Sequence, residues 1–436
     1  MMIRIPFLGH GIGGRLDLPV PVTYFAAGAA VVLIVTFVAL AALWTKPRLQ
    51  GGPEGETRDV RPPMALLAWI GLAGFLLAVL GGVSALVTGQ DSTGTRNIAP
   101  VLLWVFFWLV VPFASVLLGN LYSGVNPWRT ISRWLGIGER ESDRPLQRVG
   151  VWPAAIGLVA FAWLELVYPA SALPSTIAIA ALAYSIYLIV VVSRFGRESA
   201  LASFDIFTPY NRLFSSIGPW GRSADGHLIR RKWLHALPAI PEWKGLAALL
   251  IVMIATVSFD GLSNTVGYEA VTGSFGMSIA GRTLYLLLAC LLVGGAYYLA
   301  CWAAARLAGD SELSTGRVAS RFAHTLVPIA FAYSFAHYFT LIIFEGQSII
   351  AAAADPFGLG WDLFGARDYK IDFFLGAIPV WYIQLATIIA GHIAGVVLAH
   401  DRALADFKGV GAVRSQYAML VLMVLLTGLG LFILAG

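Results

Sequence analysis

The chain has 436 residues, of which 58% are apolar and only 12% charged, whereas an ordinary soluble domain carries roughly 25% charged residues. It cannot cover itself with a water-compatible surface, so lipid is part of its solvent. The formal charge of +5 would suit a nucleic-acid partner only if it were gathered on one soluble face, and it is instead scattered over short connections between apolar runs.

A hydrocarbon core of about 30 Å needs roughly 20 apolar residues per helix. Runs of that kind predict spans near 22–44, 64–88, 98–119, 151–168, 174–193, 245–260, 280–306, 321–344, 378–400 and 416–435, which makes the fold an all-α polytopic transmembrane bundle of about ten helices in a single domain. The first 20 residues lack the basic start, short apolar stretch and small-residue cleavage site of a removable signal peptide. Lysines and arginines close to spans are held on the cytoplasmic side. Here 23 of the 29 fall in the odd-numbered connections and 6 in the termini and even-numbered ones. The expectation is a bacterial cytoplasmic (inner) membrane protein with both termini outside.

Two basic connections carry amphipathic stretches. Trp128, Ile131, Trp134 and Leu135 share one helical face beside Arg129 and Arg133, the pattern of a helix lying among headgroups. Phe204–Trp220, inside the long connection 194–245, has a similar composition and is followed by Arg230, Arg231 and Lys232. Cys290 and Cys301 share one predicted helix, about 16 Å apart along its axis, too far for a disulfide. The segment 345–378 is the longest outer connection. Its Asp355-Pro-Phe-Gly and Trp361-Asp-Leu-Phe-Gly turns predict a folded cap.

Polar groups inside hydrocarbon are costly and mark candidate sites. At about 1.5 Å per residue, His324 and His400 lie near the inner ends of the eighth and ninth spans, His337 and Gln384 lie at a common depth toward the outside, and His392 is level with Tyr333. His324, His392 and His400 are candidate haem or copper ligands, and interhelical hydrogen bonding is the plainer alternative. A second set gathers toward the outside: His10, Asp17, Glu165, Asp260, His337 and Glu345. There His10, Asp17, Asp260 and His337 are candidate ligands of a divalent metal, with His337, Glu345 and Glu165 as candidate catalytic groups around a metal-bound water. Three glycines beside His10 free the backbone for close approach.

His10-Gly-Ile-Gly-Gly-Arg15-Leu-Asp17-Leu-Pro, Asn126-Pro-Trp-Arg129, Trp163-Leu-Glu165-Leu, His324-Thr-Leu-Val-Pro328, Ala336-His337-Tyr-Phe and Gly391-His392 through Ala399-His400-Asp401-Arg402 together resemble a family of polytopic bacterial membrane proteins labelled fenitrothion hydrolase. The likeness runs over most of the chain. It implies hydrolysis of an organophosphate-like ester at the outer set, and no catalytic residue is carried over from it. Two further expectations stand beside the hydrolase: a haem- or copper-binding redox or metal-handling subunit with a membrane partner, and a proton-coupled transporter using Glu165, His337, Gln384 and His392. The lipid bilayer is the one partner common to all three, and the small-molecule substrate is open.

Overall fold

The structure is a computed structural model that describes residues 22–50, 55–92, 97–140, 144–223, 225–309 and 314–435. Among these, nine helices are long and apolar enough to cross a membrane. They are α1 (Val22–Leu43), α2 (Met64–Thr88), α3 (Ile98–Leu118), α6 (Pro174–Phe195), α9 (Leu246–Ser263), α11 (Ile279–Ala308), α12 (Thr315–Ile343), α14 (Ala377–Asp406) and α15 (Val410–Leu434). A tenth, α5 (Trp152–Leu166), is apolar but only 15 residues long, about 22 Å. The chain is therefore an all-α polytopic bundle, with the expected spans in the expected order.

Between the spans lie shorter helices: α4 (Pro127–Trp134), α7 (Arg197–Phe204), α8 (Phe207–Ser215), α10 (Val266–Gly276) and α13 (Ser348–Ala354). Three short strands, β1 (Gly55–Thr57), β2 (Trp220–Arg222) and β3 (Leu228–Arg231), form an antiparallel sheet in the order β1-β3-β2 at the end that carries the basic connections.

The helix α9 is apolar all round and enclosed by α5, α11, α12 and α15, as a helix hydrophobic on every face must be. Its burial brings Asp260, in its last turn, into the protein interior. The α12 and α14 helices touch at backbone distance: a Cβ on Gly391 would lie 2.3 Å from the Ala332 side chain and 2.7 Å from the Pro328 carbonyl. By contrast α5 packs on α9 and α6 packs on α2, which leaves a gap between two helices adjacent in sequence.

Both amphipathic stretches fold as helices, and each buries part of its apolar face against the bundle. In α4, Asn126 caps the first turn by accepting from the Arg129 N–H. Trp128 is buried and its indole N–H donates to Ser185 Oγ at 2.8 Å, leaving Trp134 and Leu135 exposed. In α8, Phe207, Tyr210, Leu213 and Phe214 are all buried, and the helix inserts against α3 and α12. Four large apolar or aromatic side chains in nine residues bury more area inside a bundle than one amphipathic face could at its rim. The amphipathic reading also passed over α10, whose Val266, Val271 and Phe275 are exposed.

The middle of α3, Val101–Val110, is wound as a π-helix, with the Val111 N–H bonded to the Phe106 carbonyl five residues back. Such windings are rare and recur at functional sites. At the opposite face from the sheet, the segment 345–378 is folded: the buried Asp355 carboxylate accepts from the Leu359 and Gly360 N–H groups, and the Pro356 carbonyl accepts from the Ile98 N–H. The cap is thereby pinned to the start of α3.

Candidate functional site

Asp260 is the centre of a polar cluster assembled from several spans. Its Oδ2 lies 2.8 Å from His337 Nε2 and accepts the Tyr338 hydroxyl at 3.0 Å, both from α12. Its Oδ1 accepts the Asn264 amide at 3.2 Å. Asp260 and Tyr338 are buried, and His337 is nearly so. Glu165, in the last turn of α5, lies within electrostatic reach of Asp260, Tyr338 and Tyr210, with the Trp108 indole beside it. Tyr210 comes from α8 and faces Ser334 of α12. Nearby, the Arg282 guanidinium donates to the Leu166 carbonyl at 3.0 Å and to Ser263 Oγ at 3.3 Å, tying α11 to the ends of α5 and α9.

Two carboxylates, an imidazole and two phenols thus share one interior region. The Asp260–His337 pair can share or exchange a single proton, and Tyr338 holds the same oxygen from a second direction. Moving a proton on or off such a set changes charge where charge is expensive. Asp260 lies about 21 Å along α9 from the basic end.

Of the outward candidates, Asp260 and His337 therefore meet, and Glu165 lies within electrostatic reach of Asp260. Glu345 lies beyond α12, in the turn before α13, where burial raises its carboxyl above the ordinary range. His10 and Asp17 lie outside the described residues. Among the described residues, no three His, Cys, Asp or Glu side chains are grouped so as to hold a metal ion. Of the four candidate metal ligands, the described pair, Asp260 and His337, face each other through Oδ2 and Nε2.

The remaining histidines are separate from this cluster. His324 Nδ1 faces the Arg321 carbonyl at 3.0 Å and His392 Nδ1 the Ile388 carbonyl at 2.8 Å, each within its own helix, while each Nε2 is buried without a hydrogen-bond partner. A ligating histidine is oriented in that way. Between α12 and α14, however, the contacts at Gly391 and Gly395 leave no room for a macrocycle, since a Cβ on Gly395 would lie 3.0 Å from Ile329 and 3.2 Å from the Thr325 carbonyl. His400 has both ring nitrogens engaged, Nδ1 with Gln416 Oε1 at 2.7 Å and Nε2 with the Trp44 carbonyl at 2.8 Å, which leaves neither for haem or copper. Gln384 donates to the Ala336 carbonyl at 2.7 Å, an interhelical bond.

Sequence reasoning missed Tyr338, Asn264, Tyr210, Ser334 and Trp108. Only Tyr338 had a usable signal, as the neighbour of His337. It also missed Asp401, buried at the basic end, whose carboxylate accepts from the Trp44 indole, the Arg48 and Leu49 N–H groups and the Gln50 amide.

A cavity of about 830 Å³ lies between α5 and α6, walled by α2 and the π-wound part of α3, and its lining is almost wholly apolar. Phe161 and Phe207 line it and pack on Trp108 at centroid distances of 4.8 and 6.1 Å. Aromatic rings, Phe161 and Phe207 with Trp108 behind them, therefore lie between the cavity and the polar cluster.

Fold and site together define a polytopic membrane-type helical bundle that holds a buried carboxylate–histidine–tyrosine cluster beside an apolar cavity. No protein-family model, curated protein or solved structure matches the chain.

Proposed function

We propose that the protein is a proton-coupled transporter of the bacterial cytoplasmic membrane, in which Asp260, His337, Tyr338 and Glu165 take up and release the proton. The observation that carries this reading is the 2.8 Å Asp260–His337 contact inside the bundle, with Tyr338 on the same carboxylate oxygen. Chains of Asp, Glu and His within spans characteristically serve proton relays. The apolar cavity against Trp108 supplies a place for a lipid-soluble or amphiphilic cargo, and the π-winding of α3 links cavity and cluster in one element. Charge asymmetry supports an outward position for both termini, and tag accessibility in intact cells checks it.

Infrared difference spectra of the reconstituted protein between acid and alkaline buffer should contain a protonated-carboxyl band that Asp260→Asn or Glu165→Gln removes. In vesicles, translocation of a fluorophore-labelled amphiphile should quicken under an imposed pH gradient. Asp260→Asn should abolish that dependence. Gradient-independent movement in the parent protein, or an unchanged response in the variant, would remove the reading.

A second reading is a metal-free membrane hydrolase in which His337, oriented by Asp260, acts as general base on water. The same contact favours it, and it agrees with the family resemblance. Release of the aryl alcohol from an aryl phosphotriester, lost in His337→Ala and insensitive to a pH gradient, would decide for it.

A further inference from the structure

A second, polar pocket lies beside the apolar cavity, at the basic end. This pocket, of about 240 Å³, is lined by Arg129, Arg133, Arg222 and Glu198 together with Met64 and Ala68 of α2. The two spaces share walls. Along α2, Met64 and Ala68 face the polar pocket while Ile70, Gly71 and Gly74 face the cavity. Along α4, Trp128 faces the cavity and Arg129 the pocket.

Charge in the pocket is unbalanced. Glu198 pairs with Arg129, Oε2 to Nη2 at 2.6 Å, so one carboxylate faces three guanidinium groups. Arg129 also donates through Nη1 to the Ser123 carbonyl, while its Nε is buried without a hydrogen-bond partner. Burial and the nearby Arg129 charge both push the Arg222 guanidinium down from its ordinary value. An anion in the pocket would relieve both strains.

The cavity opens sideways as well. Ile70, Ile156 and Tyr187 line it and are also exposed on the outside of the bundle. From Pro153 to Leu164 along α5 it extends about 16 Å, on the order of one leaflet's depth of hydrocarbon.

We propose that cavity and pocket form a single site for an anionic membrane lipid, the acyl chain entering between α5 and α6 and the phosphate head resting on Arg129, Arg133 and Arg222. The length and apolar lining of the cavity select a hydrocarbon chain, and the excess of guanidinium groups selects a negatively charged head over a neutral or zwitterionic one. This inference rests on the cavity and the arginines alone and stands or falls separately from proton coupling.

Native mass spectrometry of the full-length protein, released from neutral-lipid nanodiscs doped with lysophosphatidic acid, tests it directly. One lysophosphatidic acid should be retained in preference to a monoacylglycerol of the same chain length, and inorganic phosphate alone should not bind. Gly74 faces open space, with nothing within 4 Å of an added Cβ, so Gly74→Phe should fill the cavity without disturbing the helices and abolish retention. Ala181→Phe, on the opposite wall, should do the same. Arg133→Gln and Arg222→Gln, on exposed side chains, should each weaken retention about fivefold, the effect of roughly one basic residue near a headgroup. These two read the same outcome if a cavity-filling variant does not fold. Equal retention of the two lipids, retention of phosphate alone, or indifference to the arginine variants would each overturn the proposal.

Discussion

Asp260 and Asp401 are both buried carboxylates next to a histidine, and they sit at opposite ends of the bundle doing different physical work. Asp401 meets four donors from the 44–50 connection, and His400, its chain neighbour, holds the Trp44 carbonyl and the Gln416 side chain. Every facing atom there is matched, so the group is a clamp that fastens the end of α1 to the end of α14. Asp260 instead faces groups that can themselves gain or lose a proton: His337, Tyr338 and, within electrostatic reach, Glu165. A buried carboxylate saturated by N–H donors fixes structure, whereas one facing titratable partners has chemistry available to it.

Removing Asp401 should produce the largest loss. Asp401→Ala leaves two backbone N–H groups, an indole and an amide without their acceptor, and breaking a buried charged network of this kind costs about 3–5 kcal/mol. We expect a sharply lowered thermal transition in detergent and early proteolysis within residues 44–50. A transition unchanged within error would show that the clamp holds nothing.

Asp260→Asn keeps shape and hydrogen bonding but cannot share a proton in the same way, so its effect should divide unequally between stability and function. Polar contacts between membrane helices contribute about 0.6 kcal/mol on average, and a comparably small stability change is expected here alongside complete loss of the pH-gradient response. Should Asp260→Asn destabilise as strongly as Asp401→Ala, the distinction between clamp and reactive cluster would collapse. Tyr338→Phe removes a single donor from the same oxygen. It should cost about 0.6 kcal/mol in a thermal unfolding series and slow the response without abolishing it, because the Asp260–His337 contact remains.

The contrast also explains what the sequence makes legible. Span positions follow from hydrophobic runs, and α1, α2 and α11 begin and end within a few residues of where composition puts them. Counting rise per residue gave depth, which is why Gln384 meets the Ala336 carbonyl and His392 the Tyr333 ring, at a centroid distance of 5.9 Å. Depth carries no information about which way a side chain faces around the helix axis. Glu165, Asp260 and His337 were therefore visible as polar groups at similar depths, while their convergence needed the packing of α5 and α12 on α9. The Asp401 clamp joins residues some 350 positions apart and leaves no local pattern. Insertion of α8 was hidden for another reason: Phe207–Ser215 satisfies a surface amphipathic pattern as well as a buried one, and only competing neighbours decide between them.

Glu345 marks the weak end of the comparison, since it is an outward carboxylate that lies beyond α12 rather than in the Asp260 cluster. Burial raises its folded-state pKa above the unfolded value. A group shifted in that direction contributes stability that is fully present below the ordinary carboxylate range and lost as pH rises through the raised value. Glu345→Gln should then match the parent protein in thermal stability at about pH 4 and exceed it slightly at about pH 8, with the pH-gradient response intact at both. If the variant instead lost that response, Glu345 would have to be counted with Asp260 and His337, and the functional cluster would reach from the bundle interior into the cap.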